Sequence, residues 1–147
     1  PDKTEGNRFT YKYFQLTFPG RYEVKTDTSG KIRTKAVVYT DNEIEASLLT
    51  FEDVPGLRNK TAKEKHKFLE EWLDGILTRK SNGHKMTKTE ILNHIGFDFV
   101  LVSENTLSNG MGKAWIDENN LYILSSLYKD SKEESSRFID SLHPLTP

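Results

Sequence analysis

The chain has 147 residues, of which 29% are charged and 11% aromatic, and its formal net charge is −1. That length suits one domain burying roughly 70% of its unfolded surface. Near-neutrality lacks the basic excess of a nucleic-acid-binding domain. The absence of cysteine excludes disulfides, zinc–thiolate centres and thiol catalysis. No run approaches 18 apolar residues, so the sequence holds no membrane-spanning helix. Pro1 stands where an initiator Met would, which reads as a trimmed or processed start and leaves room for an export signal or a lipid tether upstream.

In chain order, residues 1–8 (PDKTEGNR) read as a flexible polar lead-in to a single domain over 9–147. Phe9 to Phe18 is β-rich, with Phe14, Leu16 and Phe18 on one face, and Pro19-Gly20 ends it. Arg21 to Thr26 alternates again, with Tyr22 and Val24 expected inward. A turn at Ser29-Gly30 leads to strands around AVVY (34–40) and SLLTF (46–51), with Asp41-Asn42 as their corner.

Pro55-Gly56 closes this half. Thr61 and Glu64 are spaced as a capping box, each side chain satisfying an orphan amide of the other's backbone. Behind them Phe68, Leu69, Trp72, Leu73, Ile76 and Leu77 form one apolar stripe on a helix of about five turns. The helix stops at Ser81-Asn82-Gly83, and Arg79 and Lys80 suit the negative end of its dipole. Lys85 to Thr89 and Ile91 to Ile95 read as a strand or strand pair.

The clearest folding signal runs from Gly96 to Leu142 and predicts three consecutive strands and a closing helix. Phe97, Phe99 and Leu101 alternate with Val100 and Val102, so this strand is expected to be covered on both faces. Gly110 and Gly112 lie in a polar break, TLSNGMG, read as a flexible β-loop. A phosphate loop would need a helix after it, and here a strand pattern follows. Glu118-Asn119-Asn120 makes a tight connection. The final helix, 131–142, has Ser131 and Glu134 as a second possible capping box and ends at His143-Pro144. The grouping of elements predicts an α+β fold: a central antiparallel sheet of about six or seven strands flanked by helices.

The residues offer no catalytic constellation, no cofactor motif and no metal-ligand spacing. His66, His84, His94 and His143 form neither His-x-x-x-His nor His-Glu-x-x-His, and surface or capping roles are expected of them. No G-x-S-x-G elbow is present; Ser125 and Ser126 read as small strand residues that let a helix approach. Asp98 interrupts an apolar strand and is expected to be solvated or hydrogen-bonded. Lys60, Lys63, Lys65 and Lys67 crowd the start of the long helix, against its dipole. They are either a solvated face with a Lys67–Glu71 pair or a contact surface for an acidic partner. Trp115, on one strand face with Lys113 and Asp117, is either an interface anchor or core. The candidate partner-binding residues are therefore Lys60, Lys63, Lys67, Lys113 and Trp115.

Five features in order, Phe18-Pro19-Gly20, the VVYTD strand, the long helix with its small break, the G-x-G-K-A-W-I hairpin feeding NNLYILSSLY, and the RFIDSL helix from Arg137 to Leu142, resemble the PsbP-like superfamily. That superfamily includes a photosystem II extrinsic subunit, a Ran-binding protein of the Mog type, and small bacterial exported proteins and lipoproteins. The resemblance spans Phe9 to Leu142 and rests on structural motifs, so no binding residue is carried over from it. It implies an α/β/α sandwich and a non-enzymatic accessory or binding role through docking to another protein. It also implies an extracytoplasmic location, exported or lipid-anchored upstream. The alternatives are a cytoplasmic toxin-immunity or secretion-effector chaperone adaptor and, from another class, a small hydrolase.

Overall fold

Two antiparallel meanders meet at the centre of one sheet. The computed structural model describes residues 7–102 and 109–145. The first meander is β3 (Glu23–Asp27), β4 (Arg33–Thr40) and β5 (Ile44–Glu52); the second is β6 (Gly83–Ile91), β7 (His94–Val102), β8 (Asn109–Ile116) and β9 (Leu121–Tyr128). Pairing of β5 with β9 joins them into a seven-stranded antiparallel sheet of order β3-β4-β5-β9-β8-β7-β6. Two shorter strands, β1 (Arg8–Tyr11) and β2 (Phe14–Thr17), form a hairpin, and β10 (His143–Pro144) adds to β2. The open edges of the large sheet are β3 and β6.

Between β5, at the centre, and β6, at an edge, the chain runs through α1 (Ala62–Lys80). Its start is the capping box read from sequence: Thr61 Oγ1 accepts from the Glu64 amide at 3.2 Å, and Glu64 Oε1 accepts from the Thr61 amide at 2.8 Å. Leu69, Leu73 and Leu77 recur every four residues and are buried in one cluster with Phe97, Phe99, Leu101, Ala114, Ile116, Leu121 and Ile123. Burial of each leucine stabilises the fold by roughly 1.5–3 kcal/mol. The second helix, α2 (Lys132–Asp140), places Phe138 and Ile139 in a separate cluster. Its neighbours there are Phe14, Leu16, Phe18, Trp115, Tyr122 and Leu124. Along β9 the two sets alternate, Leu121 and Ile123 in one and Tyr122 and Leu124 in the other, as the period of two requires.

Several expectations are corrected. Phe9 to Phe18 is two strands, because Lys12 takes a positive φ of 49° and the chain reverses at Lys12-Tyr13. Phe14, Leu16 and Phe18 nevertheless share a buried face. Arg8, expected in the lead-in, opens β1, while residues 1–6 of that lead-in lie outside the described residues. Val24 is exposed on the edge strand β3. β7 is covered on one face only: Phe97, Phe99 and Leu101 are buried, whereas Val100 and Val102 are 52% and 56% exposed. Gly110 and Gly112 belong to β8 instead of a flexible loop, and the rest of the TLSNGMG break up to Ser108 lies outside the described residues. Ser131 caps α2 without a side-chain hydrogen bond, so no second capping box forms. The Lys67–Glu71 pair is not among the ion pairs of the described residues.

Candidate functional site

An α-helix is about 10 Å across and strands lie about 4.8 Å apart, so one helix covers only two or three strands of a seven-stranded sheet. Because α1 must deliver the chain to the edge strand β6, it packs against β6, β7 and β8. Among the described residues, no helix therefore packs over the same face of β5 and β9 beyond the flank of α1. There lies a cavity of about 470 Å³, within the roughly 300–1,000 Å³ of small-molecule sites.

Its floor is apolar, built from Leu49 and Phe51 of β5, Ile123 and Leu127 of β9, and Phe99 and Leu101 of β7; Ile76 and Leu77 form the helical wall. Glycine shapes this floor. A Cβ on Gly112 would stand 2.2 Å from the Leu124 carbonyl oxygen and 2.4 Å from the Phe99 ring. Phe99 occupies the space that a side chain there would need. At one end the Phe51 and Trp72 rings meet edge to face, centroids 5.1 Å apart. Towards the other end stand Glu45, which pairs with Leu127 across β5–β9, and the last-turn cations Arg79 and Lys80. Ser47 and Ser125, paired across the same strands, bring their hydroxyls to 3.1 Å midway. The cavity is thus apolar along its length and charged at one end.

A second polar centre lies across the sheet. Asp117 Oδ2 accepts from the Tyr13 hydroxyl at 2.8 Å and the Tyr122 hydroxyl at 2.7 Å, and Oδ1 accepts from the Asn119 and Asn120 amides at 3.1 and 2.8 Å. Burial by itself would raise the Asp117 pKa, but these donors outweigh it and hold the carboxyl below its ordinary value. Desolvation, then the carboxylate charge, pushes the Tyr13 phenol up; Tyr122 is raised by desolvation and by its hydrogen bond to Asp117. A general base would need the carboxyl raised and a nucleophilic tyrosine would need its phenol lowered. Both shifts run the other way, and the Tyr13–Asp117 hydrogen bond ties the β1–β2 hairpin to the large sheet.

The five residues singled out from sequence do not share one surface. Trp115 is fully buried, stacked on Tyr122 with centroids 4.8 Å apart, and its indole N–H donates to the Tyr13 hydroxyl at 3.3 Å. It therefore cannot anchor a partner. Lys113, on the same strand face, is half-buried and closes an ion pair with Asp98 at 2.8 Å. Lys63 and Lys67 are exposed on α1, while Lys60 is half-buried with Nζ 5.2 Å from the Phe68 ring centroid. Their side of the sheet is that of the α1 cluster, opposite the Trp115 cluster.

The histidines also separate. His66 packs against the Phe97 ring with a buried, unpartnered Nε2, so it is not a simple surface residue. His84 lies 2.7 Å from Asp74, and His94 packs on Tyr13. His143 is exposed. Among the described residues no three His, Asp or Glu side chains are placed to hold a metal ion, and no helix is long and apolar enough to cross a membrane. Ser126 reaches Ser135 of α2 at 2.7 Å, the close helix approach expected of it, whereas Ser125 faces the cavity.

The cavity was missed in the sequence because its members carry no motif. The usable signal was a count: β5 carries apolar residues on both faces, Leu48 on one and Leu49 and Phe51 on the other, yet two helices serve seven strands among the described residues. The chain matches no family model and no curated protein.

Proposed function

We propose that this chain is a non-enzymatic binding module and that its ligand site is the cavity between α1 and strands β5 and β9. The cavity itself carries the reading: about 470 Å³, with an apolar floor and few polar groups gathered at one end. The layered arrangement, with α1 and α2 on opposite faces of the sheet, agrees with the α/β/α sandwich that the PsbP-like resemblance implies. The same resemblance implies a non-enzymatic accessory role outside the cytoplasm. The test is to fill the cavity from either wall, with Ser125→Phe from the sheet and Ile76→Trp from the helix. Wild type should bind an apolar fluorescent probe such as an anilinonaphthalene sulfonate stoichiometrically, and both folded variants should lose it. Equal probe binding by wild type and filled variants overturns the assignment.

Docking to another protein is a second reading, favoured by Lys63 and Lys67, which are exposed and have no carboxylate partner among the ion pairs of the described residues. Lys63→Glu/Lys67→Glu separates the two. It removes a protein partner under the docking reading and leaves the cavity's probe binding intact.

A further inference from the structure

The cavity's two ends differ in chemistry, and that difference selects a ligand class. Phe51, in edge-to-face contact with Trp72, marks its apolar end. From there to Glu45 the floor follows six residue steps of β5, about 20 Å at roughly 3.3 Å per step. Over this distance the walls are aliphatic and aromatic, interrupted only by the Ser47–Ser125 pair. At the outer end Arg79 and Lys80 stand against one carboxylate, Glu45. Neither cation is paired with Glu45 or with any other carboxylate among the described residues. Both cations are exposed at the last turn of α1, with Arg79 Nη1 3.9 Å from where a Gly75 Cβ would be.

Resting on the cavity assignment, the geometry points to a single-chain amphiphile with an anionic head, such as a fatty carboxylate, as the ligand. Its tail lies along Leu49, Phe51 and Ile123, and its head meets Arg79 and Lys80. A protein occupant fits less well. A stable interface buries about 800 Å² on each partner, more surface than the walls of one cavity of about 470 Å³ present. A single head group also suits the charge count, since two cations against one carboxylate leave room for one negative charge.

Calorimetric titration of the whole chain with dodecanoate, dodecanol and dodecylamine, each below its micelle or solubility limit at pH 7 and low salt, tests this. Dodecanoate should bind more tightly than dodecanol by about three- to tenfold, the range for one or two partly exposed ion pairs. Arg79→Gln/Lys80→Gln should erase that advantage and leave dodecanol binding unchanged, and Glu45→Gln should increase it. Equal affinity for dodecanoate and dodecanol, or preference for the amine, overturns the ligand class while binding that is lost in Ser125→Phe keeps the cavity. Failure of all three to bind, with probe binding also unaffected in the filled variants, overturns both. A wild-type dimer in sedimentation that dissociates in Ile76→Trp would make a second copy the occupant and overturn the amphiphile.

Discussion

The Tyr13 hydroxyl donates to the Asp117 carboxylate at 2.8 Å across 104 positions of sequence, tying the N-terminal hairpin to the turn between β8 and β9. Asp117 also accepts from Tyr122 and from two backbone amides, so its removal strands several buried donors together. Asp117→Ala should cost about 2–4 kcal/mol in urea unfolding, more than the loss of any one of these bonds.

The same centre sets pH dependence at both ends. The folded state holds the Asp117 carboxyl below its ordinary value. Its contribution is therefore present above the unfolded pKa of about 3.9 and is lost as pH falls through the depressed folded value. Tyr13 and Tyr122 are raised, so their contribution is full below the unfolded pKa of about 10 and is lost as pH rises beyond it. Melting temperature measured from pH 2 to 11 should fall at both extremes. Asp117→Asn should flatten the acid limb, and an unchanged acid limb would show that another carboxylate governs it.

Gly112 is required by its neighbours. An alanine there meets a backbone oxygen at 2.2 Å, which no rotamer change relieves. Gly112→Ala should destabilise by more than about 2 kcal/mol and disturb the floor of the cavity. The check is a denaturation curve beside a probe titration. Wild-type behaviour in both would mean that β8 and β9 are not packed in this way.

Gly75 is the opposite case. It lies inside α1, where glycine costs about 1 kcal/mol relative to alanine, and an added Cβ would meet only Arg79, at an ordinary 3.9 Å. Gly75→Ala should raise stability by about 0.5–1 kcal/mol, read from the urea midpoint. A loss instead would place an unseen neighbour at that position.

The elements whose signals are local were legible in the sequence. The Thr61–Glu64 box acts within one turn and formed as read. The four-residue spacing of Leu69, Leu73 and Leu77 defined the buried stripe of α1, and Asn119-Asn120 sits in the β8–β9 turn because Asp117 caps its amides. The same local reasoning misjudged the hairpin at Lys12-Tyr13, where no glycine or asparagine marks the reversal and a lysine takes the positive φ. It also left Trp115 undecided, since alternation tells which residues share a face but not what covers that face.

By itself the sequence determined the α+β class, the antiparallel character of the sheet and the extent of α1, because each follows from periodicity and capping within a few residues. Only the tertiary structure decided which strands lie at the edges, which face of β7 meets solvent and where α1 stops short of β5. Those depend on the pairing of β5 with β9, between residues 70 to 84 positions apart in the chain. The cavity is a product of that pairing: its floor and its helical wall come from distant segments, and nothing local to either one marks the space between them.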